Sequence, residues 1–342
     1  MILKIKDSQL KQDIEDGLRQ LYYIEGNDEF IIDSCISSIF KAADITEIVR
    51  LDAVKSSDDD IEAPFSIFGF EFERRAVLIR NFDAGSLKEP RLSLLRSVFE
   101  SIPDGLIVVV RRFVDDSRFS PSKKGEQIVS ACNNSAVITA CSKQGTELTR
   151  YVLSQIKKNG ASASPNIAML IAERCGEDLQ ITNNEIEKLA AFCNYGEIKR
   201  EHVEDICIRT AEVGVYDMLG CLERGNIKKA FALLCEMLDE QTEPLIISSV
   251  LNTAFINLYR CRLARDYGMS QSSIASMFDY RVGDKKLSIS YNSCMRYSLS
   301  MLENILLTLR ALDRELKSSA VEKRILLEKR VSEIANIVGA RT

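Results

Sequence analysis

The residues best placed to do chemistry lie in one stretch, Leu21-Tyr22-Tyr23-Ile24-Glu25-Gly26-Asn27-Asp28-Glu29-Phe30-Ile31-Ile32. An apolar run, a polar turn and a second apolar run read as strand, turn and helix. A helix start in that position attracts phosphate, because its free N–H groups and the positive end of its dipole face the turn. A working phosphate loop needs G-x-x-x-x-G-K-[ST], so that backbone amides surround the phosphates and the Lys reaches the terminal ones. Here Gly26 stands alone, and neither Lys nor Ser/Thr opens the helix. Glu25, Asp28 and Glu29 crowd the turn instead, and three carboxylates repel a triphosphate. Gly26, Asn27, Asp28 and Glu29 are therefore expected to form a degenerate nucleotide loop. The competing reading is an active nucleotide-dependent enzyme with an unusual phosphate loop.

No other group supplies the missing chemistry. The strand expected at Leu106–Val110 ends without an acidic pair and runs into Arg111-Arg112-Phe113. Arg111 and Arg112 are expected on the surface or at a sheet edge, and Asp115-Asp116 are expected to cap a helix. His202 is the only histidine, has no ligand-spaced cysteine or carboxylate cluster, and reads as a solvated residue in a polar helix start. None of the ten cysteines forms C-x-x-C, so they read as small buried hydrophobes kept reduced. No catalytic residue, metal site or cofactor is expected.

A different kind of site is suggested by Phe65, Phe68, Phe70 and Phe72, four of the fourteen phenylalanines within eight residues. A helix hides Phe65 and Phe68 on one face, three positions apart, but not Phe70 and Phe72 as well. Packing at a helix end accounts for part of this cluster. An exposed remainder marks an interaction site.

The elements that must hold these residues follow from the patterning. Short apolar or β-branched runs at Leu21–Ile24, Thr46–Leu51, Ala76–Ile79, Leu106–Val110 and Ala136–Thr139 suit strands covered on both faces. Helical stretches alternate with them, at Asp28–Lys41, Ser57–Phe68, Leu87–Ile102 and Ser122–Cys132. Repeated βα units predict an open parallel sheet. After Cys141 the strand signal stops. Ser164-Pro165 and Gly176 are helix start and stop signals, and from Val213 onward the pattern is all helix. Stripes such as Ile246, Val250, Phe255, Leu258 and Leu263, or Leu299, Leu302, Ile305, Leu306, Leu309 and Leu312, fill either a private core or a subunit contact.

The composition agrees with a mostly helical, multi-domain protein. The 342 residues are 46% apolar and 28% charged, with only 16 Gly and 6 Pro. Net charge is −5 and the pI about 5.3, which disfavours tight DNA binding by the chain alone. Lys123, Lys124, Lys143, Lys157, Lys158, Lys199 and Arg200 are scattered basic residues, either solvated or facing DNA inside an assembly. No apolar run reaches the roughly 18 residues of a membrane span. The first residues turn polar before a signal-peptide core forms, so a cytoplasmic protein is expected.

An α/β domain, a small helical bundle and a helical C-terminal domain follow the order of AAA+ clamp-loader subunits. Four segments resemble the delta-subunit family of the bacterial DNA polymerase III clamp loader. These are Leu21–Phe30; Ser66-Ile67-Phe68-Gly69 before Glu73–Ile79; Gly176–Leu189; and Leu312-Asp313-Arg314-Glu315-Leu316-Lys317. They occur in the family's order along nearly the whole chain. Two additional residues near Phe70-Glu71-Phe72 and the absence of Trp depart from its pattern.

The resemblance implies an AAA+-like α/β domain over 1–142, a helical lid over 143–211 and a helical collar over 212–342. It implies a clamp-binding site at Ile67 and Phe68, with Phe70 as alternate, and opening of the sliding clamp without ATP hydrolysis. The implied partners are the clamp (beta subunit), the other loader subunits through the collar, and primed DNA within the complex. A membrane is not among them. The family is grouped with DNA-directed DNA polymerases as part of the holoenzyme. A delta-prime or ATPase-type loader subunit is the alternative, but the four-cysteine zinc module and Ser-Arg-Cys motif of those types are missing.

Overall fold

The structure, a computed structural model, describes residues 2–66, 75–116, 119–176, 178–278, 280 and 285–339. It divides into two compact units, Met1–Ser142 and Lys143–Thr342.

The first unit is α/β. Its strands are β1 (Leu3–Lys6), β2 (Leu21–Gly26), β3 (Glu47–Asp52), β4 (Arg75–Arg80), β5 (Leu106–Phe113) and β6 (Ser135–Ala140). They form one sheet in the order β1-β6-β2-β5-β4-β3, parallel at every pairing. Five strands match the expected apolar runs. β1 was not expected, because Leu3-Lys4-Ile5-Lys6 alternates apolar and charged residues and is only four residues long. As an edge strand paired only with β6, it needs one covered face, not two.

The helices of this unit are α1 (Leu10–Asp16), α2 (Glu29–Ala42), α3 (Asp58–Ser66), α4 (Glu89–Glu100) and α5 (Lys123–Val129). β2 is central and wholly buried. Its Leu21 and Tyr23 join Val77, Ile79, Val108 and Val110 beneath Ile61 and Phe65 of α3 and Leu92 and Leu95 of α4. Tyr22 and Ile24 alternate with them and are equally buried, on the opposite face. α2 turns Ile31, Ile32, Cys35, Ile36 and Ile39 inward at a spacing of three and four. Each such side chain contributes roughly 1.5–3 kcal/mol when fully buried.

The second unit is all helix: α6 (Gly145–Lys158), α7 (Pro165–Cys175), α8 (Leu179–Phe192), α9 (Arg200–Ile206), α10 (Ala211–Glu223), α11 (Ile227–Asp239), α12 (Pro244–Asp266), α13 (Gln271–Met277), α14 (Lys285–Ser293), α15 (Leu299–Ser318) and α16 (Lys323–Gly339). Ser164 caps α7 by accepting from the Ile167 N–H, Pro165 occupies its first turn, and Gly176 stops it at φ 75°. The long C-terminal helical pattern is interrupted at Cys294–Ser298, where Ser298 restarts the chain as the cap of α15. α12 runs through the core of the C-terminal helices. Phe255 and Leu258 are buried there, as are Leu302, Ile305, Leu309 and Leu312 of α15, whereas Ile246 and Leu263 stay exposed.

The cysteines follow expectation, with seven buried and three half-buried. Lys143 does not belong with the solvated lysines, being nearly buried beside Glu147 with its charge over the Tyr151 ring. His202 does lie in the first turn of α9 but is half-buried. Its Nδ1 accepts from the Lys199 N–H, stands 2.9 Å from the Cys193 sulfur, and its ring meets Phe192 edge-on.

Candidate functional site

The loop after β2 is built from three neighbouring strand ends. Parallel pairing sets β2 between β6 and β5, with Glu25 opposite Arg112, Ile24 opposite Arg111, and Gly26 opposite both Phe113 and Ala140. Gly26 is there because nothing larger fits. A Cβ at that position would lie 1.7 Å from the Ala140 carbonyl oxygen. Asn27 then ties the turn to its neighbours: its amide donates to the Asp116 carbonyl (3.3 Å) and its Oδ1 accepts from the Ser142 N–H (3.1 Å). The Gly26 carbonyl accepts from the Val114 N–H at 3.0 Å.

The helix start that would meet phosphate is occupied by the chain's own acids. Asp28 caps α2, its carboxylate accepting from the Ile31 N–H at 3.0 Å. Glu29, in the first turn, pairs with Arg111, whose Nε also stands 3.6 Å from Asp33. Thus one amide of the first turn is already taken, and negative charge already stabilises the helix dipole.

Glu25 is the centre of the arrangement. It is fully buried and accepts from Tyr23 Oη, Arg112 Nη1 and the Ser122 N–H, each at 3.0 Å. Arg112, itself mostly buried, reaches Asp83 at 3.5 Å and lies over the Phe119 ring. A Cβ at Gly125 would come within 2.7 Å of the Tyr23 hydroxyl, so the start of α5 leaves room for that ring. Burial, followed by the Glu25 charge, pushes the Tyr23 phenol well above its ordinary range. Ser86, then Gly85 and Arg112, hold the Asp83 carboxyl below its ordinary range against the opposing effect of burial.

Two expectations are corrected here. Arg111 and Arg112 are not surface or sheet-edge residues: they belong to the interior strand β5, with side chains only 12% and 16% exposed. Among the described residues, Asp115 and Asp116 cap no helix. Asp116 instead offers its carbonyl to Asn27 and Phe119, and α5 begins later under Ser122. The sequence reading treated Glu25 as a repulsive charge and missed its partner. The signal was present, since an acid ending one central strand faces an Arg pair ending its neighbour. Chemically, the site is a closed ionic latch. It has no Lys for a terminal phosphate, and its acids are spent on internal hydrogen bonds.

Ile67, Phe68 and Phe70 lie outside the described residues. Phe65, which precedes them on α3, is 7% exposed and packed in the core of the first unit. Among the described residues no group of three or more potential metal ligands occurs, and no helix is long and apolar enough to cross a membrane.

Residues 212–334 match the family model of the DNA polymerase III delta subunit, C-terminal domain. The fold is similar to that of the Bacillus subtilis DNA clamp loader delta protein (YqeN), with a TM-score of 0.75 at 18% identity over 96% of this chain and 98% of that one. Two single-substitution variants of RuvB from Thermotoga maritima align far less well. One gives a TM-score of 0.33 at 15% identity over 58% of this chain and 65% of its own. The other gives 0.37 at 13% identity over 84% and 83%. No curated protein matches the sequence. The parallel α/β unit and the helical remainder thus share the fold of that delta protein, and the parallel sheet followed by helices expected from the sequence is what the structure has.

Proposed function

We propose that this chain is a DNA polymerase III delta subunit, whose C-terminal domain residues 212–334 match, and that it binds the sliding clamp and holds the ring open for loading onto primed DNA. The C-terminal family match carries this reading. The latched loop at Glu25–Glu29 supports its second part, that this chain hydrolyses no ATP and leaves hydrolysis to neighbouring subunits. On this reading residues 1–142 are the AAA+-like domain, 143–211 the lid and 212–342 the collar. The protein works in the bacterial cytoplasm, with DNA contacted only inside the assembled loader.

The clamp contact is assigned to Ile67 and Phe68, with Phe70 as alternate. Phe65 is committed to the core, which leaves the anchor role to the residues after it. Anchors of this kind bias a ring between closed and open states only by their differential affinity for the two. Exposed apolar residues on the C-terminal helices, among them Ile246, Leu263 and Leu307, suit contacts with other loader subunits.

The test is a titration of the full chain with a bacterial sliding clamp, wild type against the double variant Ile67→Ala/Phe68→Ala. Two buried apolar side chains are worth roughly 1.5–3 kcal/mol each, and about 1.4 kcal/mol is a decade of affinity. Binding in the nanomolar-to-micromolar range, weakened at least tenfold by the double change, is expected. An unchanged affinity overturns the site, and no binding by the wild type overturns the function. ATP turnover by the purified chain overturns the claim about hydrolysis.

A further inference from the structure

Two of the seven buried cysteines stand side by side. Cys175 ends α7 and Cys207 caps the C-terminus of α9; their sulfurs are 3.7 Å apart and the residues only 1% and 2% exposed. We propose that Cys175 and Cys207 are a latent disulfide site, closed by peroxide as a two-electron oxidant.

The surroundings have already brought the two segments together. The Arg174 guanidinium donates twice to the Cys207 carbonyl, at 3.0 and 2.7 Å, and the Thr210 N–H returns a bond to the Arg174 carbonyl at 3.0 Å. The Ile208 N–H is held by Glu185 of α8 at 2.9 Å. Closing an S–S bond of about 2.0 Å requires the sulfurs to approach by about 1.7 Å. Both cysteines are at helix ends, one beside Gly176 with φ 75° and the other in extended backbone. Such ends adjust more readily than a helix interior, where each residue is held by bonds on both sides.

The pair is poorly suited to a metal. A third ligand would have to be Glu185, whose carboxylate is engaged by the Ile208 N–H and by Lys188 at 2.6 Å. It is suited to stepwise oxidation. The two sulfurs share one hydrogen bond in which either can donate; with Cys175 as donor the Cys207 thiolate is favoured, opposed by burial and Glu185 and assisted by Arg174 and Lys188. Cys175 stays protonated through the same hydrogen bond and through burial.

The chemistry balances in two steps. The Cys207 thiolate attacks one oxygen of hydrogen peroxide; an S–O bond forms, the O–O bond breaks, and the departing hydroxide takes a proton to become water. The Cys175 sulfur then attacks Cys207 Sγ. The S–S bond forms, the S–O bond breaks, and the Cys175 proton leaves with the hydroxyl as a second water. The two sulfurs lose two electrons and the peroxide gains them. A small oxidant suits the site, since neither sulfur is open to a protein oxidant. The product staples α7 to the segment that enters α10 at its Thr210 cap.

The experiment treats the native full-length chain with hydrogen peroxide, removes the peroxide, blocks the remaining thiols with N-ethylmaleimide in denaturant so that the buried ones are reached, and maps peptides without reduction. A Cys175–Cys207 linked peptide, lighter by two hydrogens and released by dithiothreitol, is expected, with the other eight cysteines alkylated. The oxidised protein should melt about 5–10 °C higher, as for a closed loop of some thirty residues. Cys207→Ser and, separately, Cys175→Ser should abolish both effects. The peptide map of the wild type decides the matter even if neither variant folds. Full alkylation of Cys175 and Cys207 after treatment overturns the proposal. So does sulfinic acid at Cys207 without a link, or a link that appears only in denaturant.

Discussion

Replacing Glu25 tests the latch directly. Its carboxylate accepts three hydrogen bonds at 3.0 Å in a fully buried position, one of them from Arg112. Glu25→Ala leaves the Arg112 guanidinium, with its side chain 16% exposed, facing Asp83 at 3.5 Å and the Ser120 carbonyl at 3.4 Å. Removing one partner of a buried pair costs roughly 3–5 kcal/mol, and the residual Asp83 contact puts the value near about 4. Glu25→Gln keeps the volume and an acceptor oxygen but loses the charge, and its NH2 group must face at least one donor. Hydrogen bonds to charged groups contribute roughly 1.5–3 kcal/mol, so about 2–3 is expected. At about 2–4 °C per kcal/mol, the Tm should fall about 5–10 °C for Gln and more for Ala. Hydrogen exchange at the amides of β2 and β5 is the sharper assay, because it reads the first unit without the helical one. Arg112→Met combined with Glu25→Gln should cost at least about 1 kcal/mol less than the sum of the singles. Glu15→Gln, in an exposed pair with Lys11, should change stability by less than about 0.5 kcal/mol and serves as control. If both Glu25 variants fall within that same margin, the latch contributes nothing and the argument fails.

Other consequences are equally open to measurement. Gly26→Ala drives a Cβ into the Ala140 carbonyl and should destabilise the first unit by about 3 kcal/mol in urea unfolding. Tyr23 titrates above its unfolded value, so its contribution is complete below about pH 10 and is lost as pH rises towards the folded value; an alkaline melt series should show that loss, and Tyr23→Phe should flatten it. Under the proposed function, Ile246→Asp with Leu263→Asp should leave the circular dichroism unchanged while abolishing co-elution with clamp-loader subunits. Phe255→Ala, by contrast, should cost about 3–5 kcal/mol in thermal or urea unfolding.

The strands were legible where both faces are covered, because burial on both sides leaves a continuous apolar run. That rule located β2, β4, β5 and β6; the other edge strand, β3, showed through its Ile48-Val49 although only Leu51 is buried, and β1, with Lys4 and Lys6 on an edge, was missed. Local signals also located Ser164, Pro165 and Gly176, since caps depend on neighbours in sequence. The latch was not legible residue by residue. Glu25 and Arg112 are 87 positions apart and meet only through strand register. Charged residues read singly look solvated, and the same error placed Arg111, Arg112 and Lys143 outside. Division of the C-terminal stripes needed tertiary packing: Phe255 and Ile246 look alike in the pattern, yet one is buried and the other exposed.

The Asn27 side chain has one more implication. In a loop that binds nucleotide, this turn changes its contacts with each ligand and so reports a chemical state. Here an amide fastens the turn to the segment beyond β5 and to Ser142, the last residue of the first unit. The place of a nucleotide sensor is held by a rivet, so under the proposed function the signal that sets the state of this chain comes from outside it, through surfaces shared with neighbouring subunits.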